Sequence, residues 1–123
     1  IEHMWFAFLD EQRAGMIGLI DHESDPGSQQ LISFWVHPAY RGQGVGTALI
    51  NALQEHALKS SIKKIFLFVT TTQTSSICPY EKLHFVKEQL IEDRMKKDGH
   101  FYDQYCMVWY RPNSSASTSE QSC

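Results

Sequence analysis

Val36-His37-Pro38-Ala39-Tyr40-Arg41-Gly42-Gln43-Gly44-Val45-Gly46-Thr47-Ala48-Leu49 opens at the end of one apolar run and closes inside another. An extended segment stops at a proline, a loop with three alternate glycines follows, and a helix begins before the last glycine is passed. Glycine lets a backbone come close to a ligand, and the first N–H groups of a helix point outward at the positive end of its dipole. The stretch therefore reads as an anion site suited to a phosphate-bearing cofactor. A nucleotide P-loop would need Lys after the last glycine, where Thr47 and Ala48 stand. A dinucleotide fingerprint would need a third glycine where Thr47 stands, and a βαβ opening ahead of it. Neither pattern is met.

Outward from that loop, the chain alternates between two periods. Leu31 to Val36 is a short apolar run closed by Pro38, which cannot donate to a ladder. Before it, Met4 to Leu9 and Ala14 to Ile20 read as a hairpin, with Asp10 to Arg13 as a polar break of open turn type. Pro26-Gly27 marks a loop over 21–29. After the glycines, Val45, Leu49, Ala52, Leu53, His56 and Ala57 follow helical spacing up to about Lys59. Lys63 to Thr70 has the continuous apolar centre of a strand buried on both faces. The polar run Thr70 to Ser76 offers caps for a second helix through about Leu83, with Pro79 expected in or near its first turn. Phe85 to Ile91 and Phe101 to Tyr110 pair as a hairpin about Lys96-Lys97-Asp98-Gly99. The predicted order is β-β-β-α-β-α-β-β, an α/β chain with a mixed sheet, in one domain over 1–111. Residues 112–123 are Ser-rich, carry no large apolar side chain, and are expected to be a disordered tail.

Composition narrows the function. The 123 residues carry 11 Lys and Arg against 14 Asp and Glu, a net charge of −3, so no basic field exists to hold nucleic acid or an anionic membrane. No apolar stretch approaches the ~20 residues of a membrane-spanning helix. Cys78, Cys106 and Cys123 are odd in number and far apart, which argues against a disulfide framework and for the cytoplasm; Cys78 is expected to be a helix-face thiol. Histidines and cysteines show no metal-ligand spacing, so no metal is expected.

The glycine stretch resembles the acyl-CoA-binding signature (R/Q-x-x-G-x-G/A) of the GNAT superfamily of N-acyltransferases, with Arg41, Gly44 and Gly46 in its defining places. Tyr80-Glu81-Lys82-Leu83-His84-Phe85 is similar to the ending of that family's last helix, and Asp98 to Asp103 followed by Met107 to its closing strands. The resemblance implies a sheet splayed between the strands at 31–36 and 64–70. It implies acetyl-CoA held through backbone groups of Phe34, Trp35 and Val36, and a pyrophosphate on the amides of Gly42, Gln43, Gly44, Val45, Gly46 and Thr47. Gln73 would be a further contact. The Phe34 amide would polarise the thioester carbonyl, and Tyr80 would be the general acid for the departing thiolate. The implied reaction is acetyl transfer to a primary amine on a small molecule or peptide; the alternative is a degenerate domain that binds CoA without turnover.

Departures from the family pattern are as informative. Gln73 stands where Asn is common, Phe68 where many members carry a glutamate base, Pro79 where Leu is usual and His84 where Gly is usual. The family's first strand and first two helices have no counterpart, so the chain is expected to be N-terminally incomplete or to pair through Met4 to Leu9 as a homodimer. Asp10, Glu11, Asp21, Glu23 and Asp25 make the first third acidic, which would steer a cationic amine if the two turns met in space.

Overall fold

The computed structural model describes residues 2–22 and 24–112; the expected tail from residue 113 on lies outside them. The strands are β1 (Glu2–Leu9), β2 (Gln12–Asp21), β3 (Ser28–Val36), β4 (Lys64–Thr70), β5 (Val86–Lys97) and β6 (His100–Tyr110). The helices are α1 (Val45–Leu58) and α2 (Thr74–Lys82), and a 3-10 turn spans Pro38–Tyr40. This is the α/β order expected. The described residues fall into two compact units that divide between Ile65 and Phe66.

In the first unit β1, β2 and β3 lie side by side as an antiparallel meander. The first turn is short: Leu9 faces Gln12, leaving Asp10 and Glu11 as its two residues, both at positive φ (49° and 66°). Such a backbone matches the twist of a hairpin and usually calls for Asn-Gly, a signal that Asp10-Glu11 does not carry. The ten-residue β2 separates Asp10 and Glu11 from Asp21 by roughly 30 Å at ~3.3 Å per residue. The acids therefore do not form the single patch considered above. Asp25 is instead engaged locally, by the Ser28 hydroxyl at 2.6 Å and Lys64 at 3.5 Å.

β2 is covered on both faces, with Ala14, Ile17 and Leu19 wholly buried. Helix α1 packs on it through Val45, Leu49, Ile50, Leu53 and Ala57. Each such side chain contributes about 1.5–3 kcal/mol by leaving water. The close approach depends on Gly15: a Cβ there would lie 2.7 Å from the Trp35 carbonyl oxygen and 3.1–3.2 Å from Leu49 and Val45. At the outer strand, Phe6 and Phe8 of β1 remain exposed, with the Arg13 guanidinium 4.6 Å over the Phe6 ring.

In the second unit the strand order is β4-β6-β5. Among the described residues its buried apolar side chains are Leu67, Val69, Ile77, Tyr80, Phe85, Met107, Val108 and Trp109. β5 runs to Lys97, six residues beyond the predicted end, because pairing with β6 carries the polar segment along: Met95 faces Tyr102 and Lys97 faces His100. Only Asp98 and Gly99 make the turn, both at positive φ. Pro79 lies inside α2, not in its first turn as expected. The helix already begins at Thr74, five residues before Pro79, so the proline falls beyond the first turn.

Helix α2 ends in a Schellman motif. His84 N–H bonds to Glu81 O at 3.1 Å and Phe85 N–H to Tyr80 O at 3.0 Å. His84 takes the left-handed position (φ 73°) that the resembled family fills with Gly. A side chain there costs about 1 kcal/mol. His84→Gly should therefore raise unfolding free energy by about 0.5–1 kcal/mol. Urea denaturation checks this, and an unchanged or lowered midpoint would contradict the motif's strain.

Candidate functional site

The loop from β3 to α1 is built from backbone bonds. His37 N–H donates to Ala14 O at 2.7 Å, fixing the strand end against β2. The His37 ring then caps the 3-10 turn, its Nδ1 accepting from Ala39 N–H at 3.0 Å. Tyr40 reaches back to Gln12 through its hydroxyl at 3.0 Å, and Gln43 donates to Ala39 O at 3.3 Å. Arg41 Nε donates to Val36 O at 3.2 Å, so the signature arginine ties the loop to the strand it leaves. Gly42 and Gly44 both take positive φ (79° and 84°), and nothing stands within 4 Å of where their side chains would be.

Gly44 is the N-cap of α1. The first helical hydrogen bond runs from Ala48 N–H to Gly44 O at 3.0 Å, so the N–H groups of Val45, Gly46 and Thr47 lie ahead of it. No side chain caps this end and its first turn carries no acid. That leaves the positive end of a fourteen-residue helix uncompensated beside an open glycine loop, a fit for a pyrophosphate. Gly46 seats the helix over β3: a Cβ there would lie 3.1 Å from Phe34 Cζ and 3.6 Å from Val36 Cγ2. The structure thus brings Phe34, Val36 and the 42–47 loop together. Trp35 is exposed at the same strand end, its ring 5.6 Å from that of His37.

A bulge at Ser33 was not legible in the sequence. Pairing of β2 with β3 slips between Met16–Trp35 and Gly18–Ile32, so Ser33 and Phe34 together oppose Ile17, with Ser33 at φ 56°. A bulge re-aims the backbone groups beside it, here those of Phe34. Positive φ at a bulge is usually signalled by Gly, which Ser33 does not provide.

In the second unit Tyr80 is buried at 6% exposure, its ring 5.7 Å from Phe85. This is the apolar contact that accompanies the Schellman motif, so the turn that ends α2 also holds the tyrosine. Burial pushes its phenol well above the ordinary tyrosine range. Gln73 is the N-cap residue of α2, exposed, its carbonyl accepting from Ser76 and Ile77 while its side chain makes no cap bond. Cys78 is disulfide-bonded, unlike the thiol expected there. Phe68 carries the Arg94 guanidinium 3.9 Å over its ring. Among the described residues no group of three or more metal-ligating side chains comes together, and no helix is long and apolar enough to cross a membrane.

Residues 1–85 match the sequence model of the acetyltransferase (GNAT) family. N-alpha-acetyltransferase 60 of Drosophila melanogaster is 36% identical over 83 residues, covering 61% of this chain and 30% of that protein. The chain spans less than half the length of the curated relatives it matches. Among solved structures, ribosomal-protein-S18-alanine N-acetyltransferase from Escherichia coli superposes with a TM-score of 0.81 at 18% identity, covering 97% of this chain and 75% of that one. A spermidine/spermine N-acetyltransferase from Vibrio cholerae gives 0.80 at 20% identity, covering 89% and 67%. At such identities the structures speak for a shared fold.

The burial of Tyr80 has a consequence for stability. The folded chain keeps the phenolic proton above pH ~10, where an unfolded tyrosine loses it. Its contribution is therefore complete below pH 10 and lost as pH rises beyond it. Urea midpoints between pH 8 and 11.5 should fall more steeply for the parent than for Tyr80→Phe. Parallel curves would show that Tyr80 ionises without unfolding.

Proposed function

The chain belongs to the GNAT acetyltransferase family, and on that premise we propose that it transfers an acetyl group from acetyl-CoA to a primary amine by direct attack in a ternary complex. The observation that carries the reading is the uncapped, acid-free start of α1 beside Gly42 and Gly44, seated on Phe34 and Val36 through Gly46. Acetyl-CoA supplies an activated thioester. The amides from Gly42 to Thr47 hold its pyrophosphate, and backbone groups of Phe34, Trp35 and Val36 hold its pantetheine arm, with Gln73 as a further contact. The Phe34 amide donates to the carbonyl oxygen, where negative charge grows during attack. The amine nitrogen bonds to the carbonyl carbon, the C–S bond breaks, and the thiolate takes a proton from Tyr80. The surplus proton on nitrogen passes to water, and a proton from water restores the Tyr80 phenol.

Burial keeps the Tyr80 phenol protonated at neutral pH, so that a proton is present to be donated as charge grows on the departing sulfur. Ribosomal-protein alanine and polyamine, the acceptors named for the two structural neighbours, share only a primary amine, and that class is carried over here. The reading needs a compartment that supplies acetyl-CoA, which the cytoplasm does. The alternative, a CoA-binding domain without turnover, draws on Phe68, where a carboxylate base would be usual.

Two measurements test the reading. Thr47→Glu places an acid in the first turn of α1. It should stabilise the helix by about 0.3–1 kcal/mol while weakening CoA affinity about tenfold or more, by opposing the pyrophosphate. Calorimetry showing undiminished affinity in the folded variant would remove the pyrophosphate from this loop. Separately, Tyr80→Phe should lower thiol release from acetyl-CoA with amine acceptors by ~10²-fold or more, with acetyl-CoA affinity kept. Equal turnover would make Tyr80 structural, and no release by the parent with any amine would favour the non-catalytic alternative.

A further inference from the structure

A second bulge lies in β5. Ile91 faces Gln104 and Met95 faces Tyr102, so Glu92, Asp93 and Arg94 all oppose Asp103 alone. Asp93 is held in the left-handed region (φ 51°), which costs about 1 kcal/mol for a residue with a side chain. The conformation is pinned: Asp93 N–H donates to Asp103 Oδ1 at 2.9 Å, and Asp103 O accepts from Thr71 N–H at 3.0 Å. The residue this bulge delivers is Arg94, whose guanidinium carbon lies 3.9 Å from the centroid of the Phe68 ring. Among the described residues no carboxylate pairs with Arg94, and the side chain is exposed. Stacking occupies the face of a guanidinium and leaves its in-plane N–H fork available, the geometry that grips a carboxylate through two parallel hydrogen bonds.

Phe68 stands where many members of the family carry a glutamate base, and here that place holds a cation on an aromatic ring. We infer that Arg94 is a specificity-determining residue that binds a carboxylate of the acceptor, so that the favoured substrates are primary amines carrying a carboxylate, α-amino acids or their analogues. The inference rests on the acetyl-transfer reading above. The transfer balances as before: nitrogen bonds to the acetyl carbon, sulfur leaves with the tyrosine proton, the surplus nitrogen proton goes to water, and water reprotonates the tyrosine. The carboxylate is untouched.

The test compares the full chain and its Arg94→Gln and Arg94→Lys variants by thiol release from acetyl-CoA, with alanine and alaninamide as matched acceptors. The parent should favour alanine by about tenfold or more in kcat/KM, chiefly through KM. Arg94→Gln should erase that preference while leaving alaninamide turnover within about twofold, and Arg94→Lys, which keeps charge but loses the planar fork, should restore part of it. As a readout apart from turnover, N-acetylalanine should shift the Arg94 Nε–H resonance where N-acetylalaninamide does not. Equal use of both acceptors by parent and Arg94→Gln, or a loss that falls equally on both, overturns the inference while acetyl transfer stands. An unmoved Arg94 resonance overturns it as well. Release of no thiol with either acceptor, or with any other amine, overturns the transfer reading and this inference with it.

Discussion

The first unit depends on a helix lying directly on strand backbone with no side chain between them. Gly15 admits Val45 and Leu49 of α1 to β2, and Gly46 admits the first turn of α1 to Phe34 and Val36 of β3. A single methyl at either place would press on a neighbour, at 2.7 Å from backbone in one case and 3.1 Å from a ring in the other. Interiors are close-packed and yield little to such intrusions. Once the helix is seated by its buried Val45, Leu49, Ile50 and Leu53, the direction of its leading N–H groups is fixed before any ligand arrives. Arg41 and His37 then close the loop onto backbone oxygens of the same sheet. Preorganised donors of this kind need no reorganisation when an anion binds.

The second unit uses a different device, residues with side chains in the left-handed region. His84 ends α2 and Asp93 opens the bulge in β5, and in both cases hydrogen bonds to backbone or carboxylate hold the strained residue in place. Each fixes one side chain of chemical interest. The turn at His84 brings Phe85 back against Tyr80, and the bulge at Asp93 lays Arg94 on Phe68. Strain retained at about 1 kcal/mol per residue in a chain of marginal stability points to positions where geometry matters more than local comfort.

The charges follow the same division. The glycine loop offers backbone dipoles, with no acid in the first helical turn to compete for them. Tyr80 is kept neutral by burial, whereas Arg94 is exposed and keeps its donors in water. A neutral proton donor and an open cation are chemically complementary to a thiolate and a carboxylate, respectively.

Much of this was legible in the sequence. Apolar runs placed the six described strands and apolar spacing placed α1, the capping residues of a polar run announced α2, and the three glycines after Pro38 located the start of α1 and the loop before it, because glycine and proline act locally on their own backbone. Tyr80 was singled out only by the resemblance of Tyr80 to Phe85 to a family motif. What the sequence left open came from contacts between residues distant along the chain. The extension of β5 to Lys97 is decided by pairing with β6, and Pro79 falls inside α2 because the helix already begins at Thr74, within the polar run. The bulges at Ser33 and Asp93 carry no glycine to announce them; strand register sets them, and register is a property of two strands at once. Arg94 drew no notice as one charge in a polar run, and only the bulge beneath it and the Phe68 ring give it a direction. Sequence alone determined where the backbone may bend and which periodicity each segment follows. Tertiary structure alone decided which side chains that backbone presents together, since their meeting depends on long-range pairing that no local residue preference encodes.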